Sequence, residues 1–350
     1  MSSFRRKRLF ITSAVLVAAV VAVITGNLVR QHAIGRGLNQ YAWERSYTER
    51  GLPIPKDGPR EGLWGSRTSP KVPFPRIGWH EPPRDVPGLL AIDGQGLQHY
   101  RSKGTARFRV LILGSSVAFG AYASRIDTTY YNILGESLDR NGIPTDITVA
   151  AAGAWKSVQE VEALRLFIDQ VRPDLVVFLD GLNDLTNGAT ATSLFGEKIA
   201  TADGSPWTVL YSAHDYEQRV SAYLTNMQRA YAVCAGRGSD MLVVLQPSLT
   251  ERERRTEIED VILKASLQPH KSLAALQTSY ETMRNGLLNL AHQQGSFHFC
   301  DCSRIFEEER ETVFSDLWHF CDQGHHLLGR RMAFEIGQIL QERKQGTGGP

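Results

Sequence analysis

Five short apolar runs recur from residue 108 onward, and helical stretches separate them. They are FRVLILG (108–114), ITVAAAG (147–153), DLVVFLDG (174–181), MLVVLQP (241–247) and SFHFCD (296–301). Runs of this length without polar alternation are strands buried on both faces. Between them, apolar residues at helical spacing occupy 127–141, 157–171, 216–236 and 272–294, and a last helix is expected over 324–343. Strands alternating with helices of this length build a parallel sheet through right-handed crossovers, because a hairpin cannot return the chain in the same direction. The sequence therefore predicts an α/β fold, a three-layer α/β/α sandwich around a five-stranded parallel sheet. Sheets of this kind present their functional groups at the carboxyl ends of the strands.

The chain ahead of the first run has a different character. Arg5, Arg6, Lys7 and Arg8 precede Leu9 to Val29, an uncharged stretch of 21 residues. At about 1.5 Å per residue this length crosses a hydrocarbon core of about 30 Å. The basic cluster predicts an N-terminus in the cytoplasm, a single pass through the inner membrane and a periplasmic body. No A-x-A cleavage site follows, which favours an uncleaved anchor over a signal peptide. Nine of the fifteen prolines lie between Pro53 and Pro87, where the chain lacks periodicity and reads as a linker or surface strap. The expected organisation is a basic tip and membrane anchor over 1–30, a Pro-rich strap over 31–105, an α/β domain over 106–343 and a tail over 344–350.

The formal charge of +2 conceals an asymmetry, since the first thirty residues hold five Lys or Arg and no acid. Beyond them 34 basic residues face 37 acidic ones, so the body lacks the basic field that nucleic-acid binding requires. Nucleic acid is excluded as a partner.

At the predicted strand ends stand Gly114, Ser115 and Ser116, then Gly153, then Gly181, Asn183 and Asp184. Near the C-terminus Asp316 lies three residues before His319, a spacing at which a carboxylate can orient an imidazole. Taken singly, each has a plainer reading: a serine after a strand caps a helix, and a lone histidine sits on a surface. Together they meet the needs of acyl transfer. A serine hydroxyl needs a base, the base needs an acid to hold its tautomer, and the developing oxyanion needs donors. Ser116, His319 and Asp316 supply the first three, and the backbone N–H groups of Ser116 and Gly153 with the Asn183 amide supply the donors.

These blocks resemble the SGNH hydrolases, also called GDSL-type esterases and lipases. The family's G-D-S block appears as Gly114-Ser115-Ser116, its N-x-G block as Ala151-Ala152-Gly153, its G-x-N-D block as Gly181-Leu182-Asn183-Asp184 and its D-x-x-H block as Asp316-Leu317-Trp318-His319. The resemblance covers about residues 106–343. It implies a flavodoxin-like sheet order and a serine esterase with Ser116 as nucleophile, His319 as base and Asp316 as orienting acid. It also implies supporting roles for Gly114, Ser115, Gly181 and Asp184, and no cofactor. Ser115 replaces the family's aspartate and Ala151 its asparagine, so two supporting groups differ while the reacting groups are present. The family's range, with the predicted anchor, points to short acyl esters, O-acetylated glycans or lipids of the envelope. An O-acyltransferase and a non-catalytic polysaccharide-assembly protein are the alternatives on the same fold.

Of the four cysteines, Cys302 and Cys321 are expected near the catalytic edge and within reach of a disulfide, whereas Cys300 and Cys302 stand too close in sequence to pair comfortably. A zinc site from His298, Cys300, Cys302, Cys321, His325 and His326 is disfavoured, because C-x-C lacks the usual ligand spacing. Trp155 and Trp318 flank site residues and are read as packing or rim residues rather than as a sugar platform.

Overall fold

The computed structural model describes residues 37–56, 58–59, 72–74, 77–186, 215–267 and 272–346. The expected membrane span at 9–29 and the basic tip lie outside these residues, as do residues 347–350. Among the described residues no helix is long and apolar enough to cross a membrane.

Chain order begins with helix α1 (residues 37–48) and continues through short strands β1 (Val72–Phe74), β2 (Gly78–His80), β3 (Arg84–Val86), β4 (Leu90–Ile92) and β5 (Leu97–Tyr100). There follow β6 (Phe108–Gly114), α2 (Ser116–Phe119), α3 (Tyr130–Arg140), β7 (Thr145–Ala151), α4 (Ser157–Val171), β8 (Leu175–Asp180) and α5 (Leu182–Thr186). The remainder is α6 (Asp215–Ala235), β9 (Asp240–Leu245), α7 (Glu257–Ser266), α8 (Leu273–Gln293), β10 (Phe297–Asp301) and α9 (Asp322–Gly346).

The central sheet has the order β10-β9-β8-β6-β7-β5. Its five long strands are the five apolar runs, and every pairing among them is parallel. The expectation of a purely parallel, five-stranded sheet is corrected at one edge. There β5 adds a sixth strand, antiparallel to β7, with Leu97 opposite Ala150 and Tyr100 opposite Ile147. The LQHY sequence of β5 is too short and too polar to stand out as an apolar run. Its place is set by pairing with β7, whose edge it covers.

Alternation along each strand divides the core between two faces. From β6, Val110 and Ile112 pack with residues of α1, α3 and α9, including Trp43, Leu134 and Ile336. Leu111 and Leu113 pack on the opposite face with Leu164 of α4, Met227 of α6 and Leu287 of α8. After β6 the chain passes to the α3 face and after β8 to the α6 face. The carboxyl ends of these neighbouring strands thus form a switch point, the place where sheets of this kind present functional groups.

Candidate active site

Ser116 opens α2 at the end of β6, and the strand passes into the helix within one residue. The turn is tight because α2 lies directly on β8: a Cβ on Gly114 would stand 2.3 Å from the Leu179 carbonyl oxygen and 2.5 Å from Ala118 Cβ. Gly114 is thereby required by packing. Ser115 holds the N-cap position, yet its side chain makes no capping hydrogen bond, and it is buried beside the equally buried Ser116. The plainer reading of these serines as helix caps finds no support there.

His319 is oriented by Asp316 at the expected spacing. Asp316 Oδ2 lies 2.7 Å from His319 Nδ1, while Asp316 Oδ1 accepts from the backbone N–H groups of Trp318 at 2.9 Å and His319 at 2.8 Å. The Tyr122 ring stacks on the imidazole, with centroids 5.0 Å apart and planes 19° apart. Tyr122 lies three residues past the end of α2, so the histidine loop packs on the segment that follows the helix opened by Ser116. The backbone of Tyr122 is left-handed, with φ 67°, a conformation a bulky side chain adopts only under constraint. One constraint is visible: Trp43 Nε1 of α1 donates to the Tyr122 carbonyl at 3.0 Å.

The loop bearing Asp316 is braced from α7. Glu259, fully buried, accepts through Oε1 from the N–H groups of Val313 and Phe314, both at 3.0 Å, and pairs with buried Arg252 at 2.7 Å. Its Oε2 accepts from Thr256 N–H, completing the capping box that starts α7. Helix α7 is not among the helices expected from apolar spacing, although Thr256-x-x-Glu259 is a helix-start signature.

Two of the three expected oxyanion donors, Asn183 and Gly153, are engaged. Asn183 Nδ2 donates to the Trp155 carbonyl at 3.0 Å, which leaves the second amide hydrogen for another acceptor. Gly153 N–H donates to Glu81 Oε1 at 3.2 Å, and Glu81 belongs to the Pro-rich segment, where no local pattern singles it out. The left-handed residue of this turn is Ala154, with φ 69°. Trp155 is buried, its indole donating to the Trp79 carbonyl at 2.8 Å.

Behind the Asn183 block lies a buried acidic group. Asp184 accepts from Ser157 N–H at 3.0 Å and from Ser157 Oγ at 2.5 Å, pinning α4 to α5. Burial and the charge of Asp180 push its carboxyl up to about 7. Burial likewise raises Asp180, which accepts from the Tyr223 hydroxyl, and raises Glu160 well above the carboxylate range with help from Asp180. Gly181, between these acids and Asn183, has φ 123° and so holds a backbone conformation that favours glycine.

All four cysteines are buried free thiols. The close pair is Cys300 and Cys302, with sulfurs 3.5 Å apart, rather than Cys302 and Cys321, because alternate residues at a strand end face the same side. Among the described residues no group of three His, Cys, Asp or Glu is placed to hold a metal ion.

No protein-family model matches the chain, and no curated protein matches it. Solved structures do. An acetyl xylan esterase, AlAXEase, is 16% identical, with a TM-score of 0.40 over 65% of this chain and 99% of its own. A lipase/acylhydrolase from Enterococcus faecalis is 14% identical, with a TM-score of 0.43 over 65% and 95%. A GDSL-like lipase from Bacteroides thetaiotaomicron is 13% identical, with a TM-score of 0.38 over 66% and 88%.

Proposed function

We propose that the chain is a serine carboxylic ester hydrolase of the SGNH type. The observation that supports the reading is the Asp316–His319 pair, held at 2.7 Å with the ring of Tyr122, six positions beyond Ser116 in the chain, stacked on its imidazole. In the proposed reaction Ser116 Oγ attacks the acyl carbon as His319 Nε2 takes its proton, and Asp316 stabilises the imidazolium. The oxyanion is received by the N–H groups of Ser116 and Gly153 and by the Asn183 amide. The intermediate collapses, the alcohol leaves with the proton from His319, and water repeats the sequence on the acyl-enzyme. This route uses no metal or organic cofactor.

The substrates proposed are O-acetyl or short acyl esters of envelope or exported glycans. The uncharged stretch at 9–29 behind a basic tip supports a place on the periplasmic side of the inner membrane, within reach of such polymers. The test is labelling of the full chain in detergent with a fluorophosphonate, followed by peptide mapping, alongside hydrolysis of p-nitrophenyl acetate. The expected result is a single adduct on Ser116, lost in Ser116→Ala together with hydrolysis. An adduct on Ser115, or full hydrolysis by Ser116→Ala, overturns the assignment.

A further inference from the structure

We propose that Gln246 is a specificity-determining residue whose carboxamide binds a hydroxyl on the alcohol half of the ester. Its role rests on the reading above of Ser116 as nucleophile. Gln246 is 2% exposed, and its Oε1 has no hydrogen-bond partner among the described residues. A buried amide oxygen without a partner lowers stability, a cost that a functional group bears when its partner comes with the substrate.

The chain places this amide between two blocks of the site. Gln246 directly follows β9, and its N–H donates to the Asp180 carbonyl at 3.1 Å, so the β8–β9 ladder runs one residue past the strand. Asp180 leads into the Gly181–Asp184 block that carries Asn183. Three residues further on, Leu249 N–H donates at 2.9 Å to the carbonyl of Leu317, which lies between Asp316 and His319. Residues 246–249 are thus fastened to the Asn183 block at one end and to the His319 loop at the other.

Strand alternation fixes the side on which the amide projects. Met241, Val243 and Leu245 pack on the side of α4 and α6, whereas Leu242 and Val244 pack on the side of α3 and α9. Gln246 continues the second set. That side also holds Val117 and Ala118 of α2, the helix that Ser116 opens, and Leu317 of the histidine loop. In the sheet Gly114 stands opposite Leu179 and Asp180 opposite Leu245, so the β8 residue level with Gln246 is Gly181, which has no side chain. The ends of β6 and β9 are two strand spacings apart, about 10 Å. In the proposed pose an ester with its acyl carbon at Ser116 extends its alcohol half across Gly181 to Gln246. Ser116 is itself only 4% exposed, so a substrate that reaches the nucleophile reaches the depth of Gln246.

The amide selects the ligand by its chemistry. Short acyl groups carry no hydrogen-bond donor, so the donor that Oε1 takes comes from the alcohol. A hydroxyl both donates and accepts and pairs with either end of a carboxamide, while a hydrocarbon alcohol pairs with neither. Because the amide oxygen is already out of water, its hydrogen bond to a hydroxyl is gained without further desolvation of the protein. Esters of polyols, such as partly acylated sugars, are the class favoured.

The experiment uses the full chain in detergent and two acetates of primary alcohols on six-membered rings, methyl 6-O-acetyl-glucopyranoside and cyclohexylmethyl acetate. Each kcat/KM is divided by the rate of hydroxide-catalysed hydrolysis, which removes the inductive difference. The wild-type chain is expected to favour the sugar ester by about 10- to 100-fold, the range that one hydrogen bond to a buried polar group produces. Gln246→Met keeps the length of the side chain and removes its amide. It is expected to lose most of the preference, mainly through a lower kcat/KM for the sugar ester, with the melting temperature unchanged or raised. Gln246→Leu carries the same expectation and covers the case in which the methionine variant fails to fold. A wild type without the preference, a preference that survives in either folded variant, or an equal slowing of both acetates overturns the role of Gln246. A loss of preference that comes with a lower melting temperature in both variants assigns Gln246 to the fold and overturns that role as well. In each of these cases fluorophosphonate labelling of Ser116 leaves the esterase reading standing. Absence of both labelling and hydrolysis in the wild type overturns the esterase reading, and the role of Gln246 with it.

Discussion

His319 is fixed before a substrate arrives, by Asp316 at its Nδ1 and by the Tyr122 ring against its face. An imidazole held this way presents Nε2 to a nucleophile in one tautomer, provided that the partner at Nδ1 is a carboxylate. Asp316→Asn keeps the shape and removes the charge, so kcat for p-nitrophenyl acetate should fall by about 10⁴-fold with KM little changed. Steady-state kinetics on the purified variant check this, and a loss of less than tenfold would count against the role of Asp316. The Asp316–His319 pair was legible in the sequence because its members stand three positions apart, and the strand-end places of Ser116, Gly153 and Asn183 because each closes or follows a predicted strand. Glu81 was not legible. Its contact with Gly153 spans 72 positions, and its neighbours His80 and Pro82 carry no motif.

The elements that build the site differ in how they hold it. The loop leading to Asp316 has little regular structure and depends on the Glu259–Arg252 pair of α7 and the segment before it. Glu259→Ala leaves the buried Arg252 guanidinium without its carboxylate and frees three backbone donors, so it should destabilise the fold by about 3–5 kcal/mol. Urea unfolding measures the loss.

The acids between α4, β8 and α5 act through pH. Unfolded, Glu160, Asp180 and Asp184 release their protons near pH 4; folded, burial raises all three, with Asp184 at about 7. The stability that they contribute is therefore complete below about pH 4 and is lost as pH rises through about 7. Lys156, the basic group beside Asp184, is lowered by burial only to about 8 and so keeps most of its charge across that window. The melting temperature should decline from pH 5 to pH 7.5, and Glu160→Gln should flatten the decline; an unchanged slope in that variant would remove Glu160 as a cause. The five long strands could be read because burial on both faces leaves uninterrupted apolar runs. The first five strands could not, since three or four residues hold no period; β1 and β2, and β3 and β4, are defined only by pairing with each other, and β5 by pairing with β7 far along the chain.

At the scale of the whole molecule, the segment after α1 meets the loop that leads to Asp316. Thr312 donates its N–H to Glu49 at 2.7 Å and accepts from Arg50 at 2.7 Å, contacts that span 263 and 262 positions. For the anchor proposed at residues 9–29, a periplasm-dependent reporter fused to the C-terminus should be active and a cytoplasmic one silent, and the reverse pattern would reject it. This contact bears on how the protein is made. Helix α1 leaves the ribosome early, but the segment after it docks on residues near 312, which leave almost last. Contacts of such long range form slowly, and until they form Glu49 and Arg50 lack their partner at Thr312. Chains ending before residue 312 should show this as ready cleavage by trypsin after Arg50, which the full chain resists.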